Sequence, residues 1–543
     1  MVEISTNAAA EVEYELALAW YLERSDRAAA GFEAAVDRAM DDIATFPEAS
    51  GRGGKRTSPA STCNAPGTSL YHDVMDAGLA AIPSNRTIWR QVLALALPNL
   101  AQQYLHLVVQ LSDQKIAAEF PVPLAERADY LSALTTAGYL YWCVSSYTVL
   151  VSVGATALVA RFVGAGDWAT AQKATGQAVV LAIGFGLIGS LAGLLGLRSL
   201  IGLVGPSGLA AEHCVAFLTP LVVLLAFQIT ESACVACLVG AGDTRTGLYV
   251  LGGVAILNVP LAWGLCFGIG SFEGFGFVGI ALGTGLSHLI GCIVVLVLLV
   301  RGRSGLKLNL GILRPDRELC RRMLRVSIPA GVDSLSVAVS QLWFLSLVNA
   351  LPTVSSAAHG IAIRVEALGF LAGAAFGTAA MSLVGRNLGA RTPHEAARCG
   401  WAAFALGCAT MSGMGVVYFL LAPAMFRFFG GDPEVVAVGV PVLQLIAFAM
   451  PALAGQIVFL SALRGAGDTR VPVLFNWFGF LCVRIPLAYL LTRSAIDLGP
   501  LGVVRGFDMG LYGAWIAMVA DIWVRGIVFV LRFASGRWKK IAV

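Results

Sequence analysis

Gly240-Ala241-Gly242-Asp243-Thr244-Arg245 returns, letter for letter, as Gly465-Ala466-Gly467-Asp468-Thr469-Arg470. The same offset carries Val159, Arg161, Gly164 and Ala165 onto Val384, Arg386, Gly389 and Ala390. Close to it, Val259-Pro260-Leu261-Ala262-Trp263 meets Ile485-Pro486-Leu487-Ala488-Tyr489. A half-protein of about 220 residues is therefore duplicated head to tail. The stretches between the copies are apolar, so the repeated unit reads as a bundle of membrane helices.

Composition supports that reading. The chain has 543 residues, 57% of them hydrophobic and 13% charged, with a mean hydropathy of +0.77. A soluble domain carries about 25% charge. The apolar surface here exceeds what a globular core of this size can bury, so lipid must serve as its solvent. The net charge of +4 is small and its basic residues lie in short loops, which argues against a nucleic-acid surface. The 11 cysteines are scattered. Cys234 and Cys237 form a Cys-x-x-Cys within an apolar helix and have no second pair, so no metal or redox site is expected there.

Twelve apolar segments follow Ile88, at about 88–113, 130–160, 174–203, 211–240, 244–269, 276–300, 322–350, 356–386, 395–425, 434–464, 469–492 and 510–532. The expected fold is an all-α polytopic membrane protein: twelve transmembrane helices in two six-helix lobes related by an internal repeat. The lobes are expected at 88–300 and 322–535, with a connection at 301–321 and a basic tail at 536–543. Charge sets the orientation. One side of the segments carries most of the Lys and Arg residues, among them Arg161, Arg245, the cluster Arg301 to Arg325, Arg386 and Arg470. The other side carries only Lys115, Arg127, Arg198, Arg427, Arg493 and Arg505. The excess of positive charge places both termini in the cytoplasm of a cell whose inner membrane the chain spans.

Residues 1–54 read differently. A short strand at Val2-Glu3-Ile4-Ser5 would precede two amphipathic helices, the second closed by Pro47. Trp20-Tyr21 and Ile43-Ala44-Thr45-Phe46-Pro47 give this stretch a loose resemblance to the front of the RelE/ParE toxin family. The basic sheet that the resemblance implies has no counterpart here. In its place stands a Gly-, Ser-, Thr- and Pro-rich linker, 55–87. The stretch is expected to be a helical remnant, with Met75 as an alternative start. Its charge argues against a cleavable signal peptide at the front of the chain.

The repeated Gly-Ala-Gly-Asp-Thr-Arg phrase falls between two helices in each half. A glycine there can take the left-handed conformation that ends a helix. The aspartate can cap the next helix, and the arginine stays at headgroup level. Gly164-Ala165-Gly166-Asp167 repeats the device between segments 2 and 3. A phosphate loop would need a lysine and a preceding strand, and neither is present.

These phrases carry a second, more specific resemblance. Leu463-Arg464-Gly465-Ala466-Gly467-Asp468-Thr469 is similar to the segment-10 signature of the multidrug and toxic compound extrusion (MATE) transporters. Ala357-Ala358-His359-Gly360-Ile361-Ala362-Ile363-Arg364-Val365-Glu366, running on to Leu383-Val384-Gly385-Arg386-Asn387-Leu388-Gly389-Ala390, is similar to segment 8 of that family. The resemblance covers about 88–535. It implies two lobes around a central cavity and export of an organic, cationic or amphipathic compound, driven by inward flow of protons or sodium. The lobes would rock about the 301–325 connection, with bends in segments 1 and 7. A lipid-linked saccharide flippase is the alternative function.

An ionisable group inside a membrane needs a reason, because it costs about 2.5–3.5 kcal/mol or more at a helix centre. Asp113 follows Pro98 by about four helical turns in segment 1. The resemblance implies that an aspartate at this spacing from a proline couples the cation. Gln114, Lys115 and Glu119 follow at once, so hydropathy alone would leave Asp113 solvated at its helix end. Glu231 and Gln456 hold the same interval from the first glycine of their phrase and are expected to face the cavity, Glu231 as a proton carrier or a buried hydrogen-bonding group. Asn258 precedes Pro260 by two, and Arg484 precedes Pro486 by two. Asn258 is an ion-coupling candidate. Arg484 is either the counter-ion of a carboxylate or a guide for anionic substrates. Asp333 lies one helical turn past Pro329, where it could merely cap its helix. Asp521 and Arg525, four apart, most simply neutralise each other. Tyr139 and Trp343 are aromatic candidates for stacking on planar cations.

The sequence also departs from the family pattern. Val337 and Leu453 stand where the sodium-type branch has acids, and Val259 stands where the archaeal-type branch has one. Proton coupling through Asp113 is the resulting expectation, with sodium possible. No cofactor, metal or nucleic acid is expected, and the six histidines are isolated in sequence, so no enzyme is expected. A small organic substrate and membrane lipid are the expected partners of a monomer.

Overall fold

Residues 85–121, 130, 133, 136–138, 140–141, 146–204, 208–497 and 503–541 are described by a computed structural model. The expected helical remnant at 1–54, the expected linker as far as residue 84 and the Tyr139 side chain lie outside these residues, whereas 85–87, expected in the linker, begin the first helix. Helices dominate. The first half comprises α1 (Asn85–Glu119), α2 (Val149–Gly164), α3 (Trp168–Val204), α4 (Leu209–Val223), α5 (Leu225–Gly240), α6 (Thr244–Phe267) and α7 (Phe277–Val300). The second comprises α8 (Arg317–Asn349), α9 (Thr353–Gly389), α10 (Pro393–Phe428), α11 (Pro433–Ala447), α12 (Met450–Ala466), α13 (Arg470–Phe478), α14 (Ile485–Thr492) and α15 (Gly510–Ala534). One element is not expected from the sequence, an antiparallel hairpin of β1 (Ala495–Asp497) with β2 (Val503–Arg505).

Nine of the described helices can cross a bilayer alone, and two bent pairs raise this to eleven. The helix α2, the described end of segment 2, supplies the twelfth. The pair α4 and α5 is bent by 50° and the pair α11 and α12 by 55°. Pro451 accounts for the second bend, because it has no N–H for the carbonyl of Ala447. The segment of α13 and α14 is joined by a π-turn, Gly479–Arg484. Pro486 cannot donate to the carbonyl of Cys482, and one wide turn absorbs the defect.

The repeated phrases end and begin helices as expected. Gly166, Gly242 and Gly467 have φ of +74°, +88° and +85°. Asp243 accepts from the N–H of Thr246 at 2.9 Å, and Asp167 from that of Thr170 at 3.0 Å. Arg245 and Arg470 are exposed. The second copy departs from the first. Asp468 makes no helix cap; it takes both Nε and Nη2 of Arg532, at 2.9 and 2.7 Å. In the first copy Arg303 stands in the similar place, 3.4 Å from Asp243. Each aspartate is thus held by an arginine near the end of its own half's sixth segment.

The two halves meet at the end that carries the basic loops, in near two-fold fashion. Gly164 packs on the carbonyl of Arg386, and Gly389 on the carbonyl of Arg161. Ala160 faces Gly385. Arg161 reaches the carbonyl of Ala466, while Arg386 lies against Gly242. The repeat offset exchanges the Gly164–Arg386 and Gly389–Arg161 contacts and carries Ala160 onto Gly385, so one surface is used twice, as in a symmetric dimer. The first helix of each half also begins beneath the other half. Ile88, Val92 and Leu95 of α1 join the core of α9 and α12. Met323, Val326 and Ala330 of α8 join the core of α2, α3 and α5. Toward the other end the halves have separate cores, one around Phe217 and Phe277 and one around Tyr418 and Trp515.

The connection between the halves is anchored on the first. Gln177 of α3 donates to the carbonyls of Ile312 and Arg314 and accepts from the N–H of Asp316, each at 2.9 Å. Asp316 then caps α8, accepting from the N–H groups of Glu318 and Leu319. That helix starts at Arg317, ahead of the expected segment.

Candidate functional site

In the first half the structure brings Asp113 and Asn258 together through a residue that the sequence does not single out. Thr284 of α7 donates to Asp113 Oδ2 at 3.2 Å. Its Oγ1 accepts from Asn258 Nδ2 at 2.9 Å. Asp113 is half-buried on α1 and is not solvated at a frayed helix end, since α1 continues to Glu119. Asp113 Oδ1 and Asn258 Oδ1 are both shut away from solvent with no hydrogen-bond partner. Buried polar atoms are rarely left bare. A carboxylate oxygen and an amide oxygen, both unsatisfied and joined to one hydroxyl, form an acceptor-rich site suited to a proton or a small cation.

Glu231 is a buried hydrogen-bonding group, one of its two expected alternatives, rather than a group open to a cavity. Its carboxylate is 1% exposed, with Oε2 2.7 Å from His288 Nδ1 on α7 and Oε1 unpaired. His288 is therefore not isolated, as its place in the sequence suggests; α5 and α7 bring it to a distant acid. Gln456, the repeat counterpart of Glu231, is half-buried, with a bare Oε1.

The second half holds a lattice of paired charges. Asp333 is not a cap. It lies deep in α8, 1% exposed, 2.8 Å from Arg464 Nη2 and 2.6 Å from Asn476 Nδ2. Asn476 Oδ1 accepts from Arg525 at 3.2 Å. Arg525 and Arg484 both bind Asp521, at 2.7 Å and 2.8 Å through their Nε atoms. Arg484 also donates to Gln341 at 3.2 Å. The π-turn of segment 11 delivers Arg484, 3% exposed, to this lattice. Arg484 is thus the counter-ion of a carboxylate, and Asp521 is shared between two arginines. Glu366 of α9, half-buried, lies within electrostatic reach of Arg484. Trp343 packs against Tyr489, with ring centroids 5.8 Å apart, and beside Phe344.

The MatE family description matches residues 124–264 and 329–490, together more than half of the chain and once in each half. The chain belongs to the MatE family. Among relatives, "Probable multidrug resistance protein NorM" of Thermotoga maritima is 28% identical over 462 residues, 84% of this chain and 94% of its own. A solved MOP superfamily transporter from Pyrococcus furiosus, described as having a binding pocket of reverse polarity, superposes with a TM-score of 0.75 at 19% identity, covering 82% of this chain and 95% of that one. An outward-facing multidrug resistance MATE family transporter gives 0.74 at 19% identity, over 83% and 97%. At these identities the two structures speak for the fold alone. The MatE chain is a multi-pass membrane protein of a transporter family.

Proposed function

We propose that this MatE chain is a secondary antiporter that exports organic cationic or amphipathic compounds in exchange for protons taken up by Asp113. The observation that supports this reading most is the half-buried Asp113 carboxylate, held by Thr284 and Asn258 with one oxygen bare. A proton adds to that oxygen without a change in coordination shell. A sodium ion would need several oxygens at once, and Asn258 Oδ1 and Asp113 Oδ1 are the two sealed, bare ones in this group. The relative from Thermotoga maritima carries multidrug resistance in its name, which favours organic cargo.

The rest of the reading follows from the layout. The halves meet at the basic end and part toward the other, the arrangement of a cleft open on the side away from the basic loops. With the basic loops cytoplasmic, the chain spans the inner membrane with both termini inside and works as a monomer. A lipid-linked saccharide flippase would want a free cavity cation for its anionic cargo. Arg484, the residue that suggested one, is occupied by Asp521 and Gln341.

The test is ethidium efflux from proteoliposomes with proton and sodium gradients imposed separately. A pH gradient should drive efflux in the native chain. Asp113→Asn should abolish it. Efflux that persists in Asp113→Asn removes the carboxylate from the mechanism, and efflux driven by sodium alone replaces the coupling ion.

A further inference from the structure

The Glu231–His288 pair has no part in the reading above, although it is built from two titratable groups. We propose that it is a second proton-binding site in series with Asp113, so that each cycle moves two protons per substrate. This rests on Asp113 being the coupling carboxylate.

Position comes first. Thr284 and His288 are four apart on α7 and so lie on one face, about 6 Å apart along the helix axis. Thr284 holds Asp113, and His288 holds Glu231. On α1, His106, Gln110 and Asp113 form a matching stripe at spacings of four and three. His106 sits within electrostatic reach of His288 and hydrogen-bonds to Gln110 at 3.4 Å. Two facing stripes thus run from Asp113 to Glu231.

Chemistry comes second. A buried carboxylate with one bare oxygen is costly as an anion. One imidazole hydrogen bond offsets part of that cost. The pair can hold one proton shared between Glu231 and His288, or two when both are protonated, and the bare Oε1 is where the added proton sits. The other titratable groups against it are His106 on α1 and the thiols of Cys234 on α5 and Cys292 on α7. The remaining helices packed on α5 carry their charges elsewhere: on α9 Arg364 is exposed, Glu366 lies near Arg484 and Arg386 lies against Gly242, and Glu212 stands in the first turn of α4. Arg161 of α2 reaches Ile541, Lys173 and Arg198 lie toward the two ends of α3, and Arg245 of α6 is exposed.

Stoichiometry is the readout, because a merely structural role does not change it. Proteoliposomes with the membrane potential clamped at zero receive a fixed difference of one pH unit. The opposing ethidium ratio is then raised until net flux reverses. Each proton carried per substrate supports a tenfold ratio. The native chain should reverse near 100-fold. Glu231→Gln should reverse near tenfold, still driven by the pH gradient. Glu231→Met, which removes the carboxyl and its Oε1 altogether, should do the same and serves if Glu231→Gln fails to fold. Native reversal near tenfold, or folded variants that still reverse near 100-fold, overturns the second site. Loss of pH-driven flux in Glu231→Gln also counts against it. Flux driven by the pH gradient in Asp113→Asn would instead overturn the coupling reading beneath.

Discussion

A methyl group on Gly164 or Gly389 should loosen the basic end of the molecule. Each glycine faces a backbone carbonyl of the opposite half, that of Arg386 or Arg161, and backbone cannot rotate away. An ordinary contact needs about 3.5 Å, and an added Cβ would fall about an ångström or more short of it. The halves must separate locally or strain. Overpacking of this kind costs about 1–3 kcal/mol, which as a bias between two states is about 5- to 150-fold. Ser382 reports the change, since it is buried between the halves and donates to the carbonyl of Val239 at 2.7 Å. In a Ser382→Cys background, maleimide labelling should accelerate about 5- to 150-fold in Gly164→Ala and in Gly389→Ala. One separation relieves both contacts, so the double variant should gain less than the product of the two. Gly196→Ala, with nothing near its added methyl, is the control and should label at the background rate. Folded Gly164→Ala and Gly389→Ala chains that label no faster than the control would refute the closure of this end by paired backbone contacts.

Two further outcomes follow from the charges. Asp521→Asn leaves Arg484 and Arg525 buried beside a neutral amide, and breaking a buried pair by removing one partner costs about 3–5 kcal/mol. Thermal unfolding in detergent should fall clearly, Arg525→Met added to Asp521→Asn should recover part of the loss, and an unchanged midpoint in Asp521→Asn would contradict the lattice. Asp243 lies outside the spans. Burial works to raise its pKa, but hydrogen bonds from Ser304 and Thr246 and the charge of Arg303 outweigh it and hold the carboxyl below the usual range. A depressed folded pKa stabilises fully above the unfolded value of about 4 and loses that contribution as pH falls through the folded one. The unfolding gap between native chain and Asp243→Ala should therefore be present at pH 7 and shrink below about pH 4; a gap that stays constant in acid would exclude the ionised cap.

The fold is legible because its signals are periodic and repeated. Twelve apolar runs, a phrase echoed from one half to the other and a lopsided charge distribution each speak through many residues at once. The site is legible only in part. Asp113 and Asn258 stand out as polar groups in apolar helices, but Thr284, which joins them, reads as an ordinary threonine in segment 6. Glu231 and His288 lie in segments 4 and 6, and only the packing of α5 on α7 makes them a pair. A threonine and a histidine four apart on one helix are the available signal. Asp333 is misplaced by sequence because its distance from Pro329 reads as a distance from a helix start. The proline instead lies well inside α8, which begins at Arg317. The hairpin of β1 and β2 escapes because strands this short carry no period.

The two halves share a fold and differ in the groups set at equivalent positions of their first and fifth segments. Phe344 holds the same interval from Pro329 that Asp113 holds from Pro98. Asn258 lies two before Pro260, and Arg484 two before Pro486. Where the first half sets an acid near an amide, the second sets a guanidinium over an aromatic ring, 5.7 Å from its centroid. Glu231 and Gln456 follow the same pattern, a titratable group opposite one that cannot titrate. Asp333 and Asp521, the second half's acids within this lattice, are each bound by arginine at 2.8 Å or closer. Removing either acid would leave a buried guanidinium without its partner. Duplication supplied two related sites: the first keeps a carboxylate oxygen bare, and the second binds the acids of its lattice to arginine.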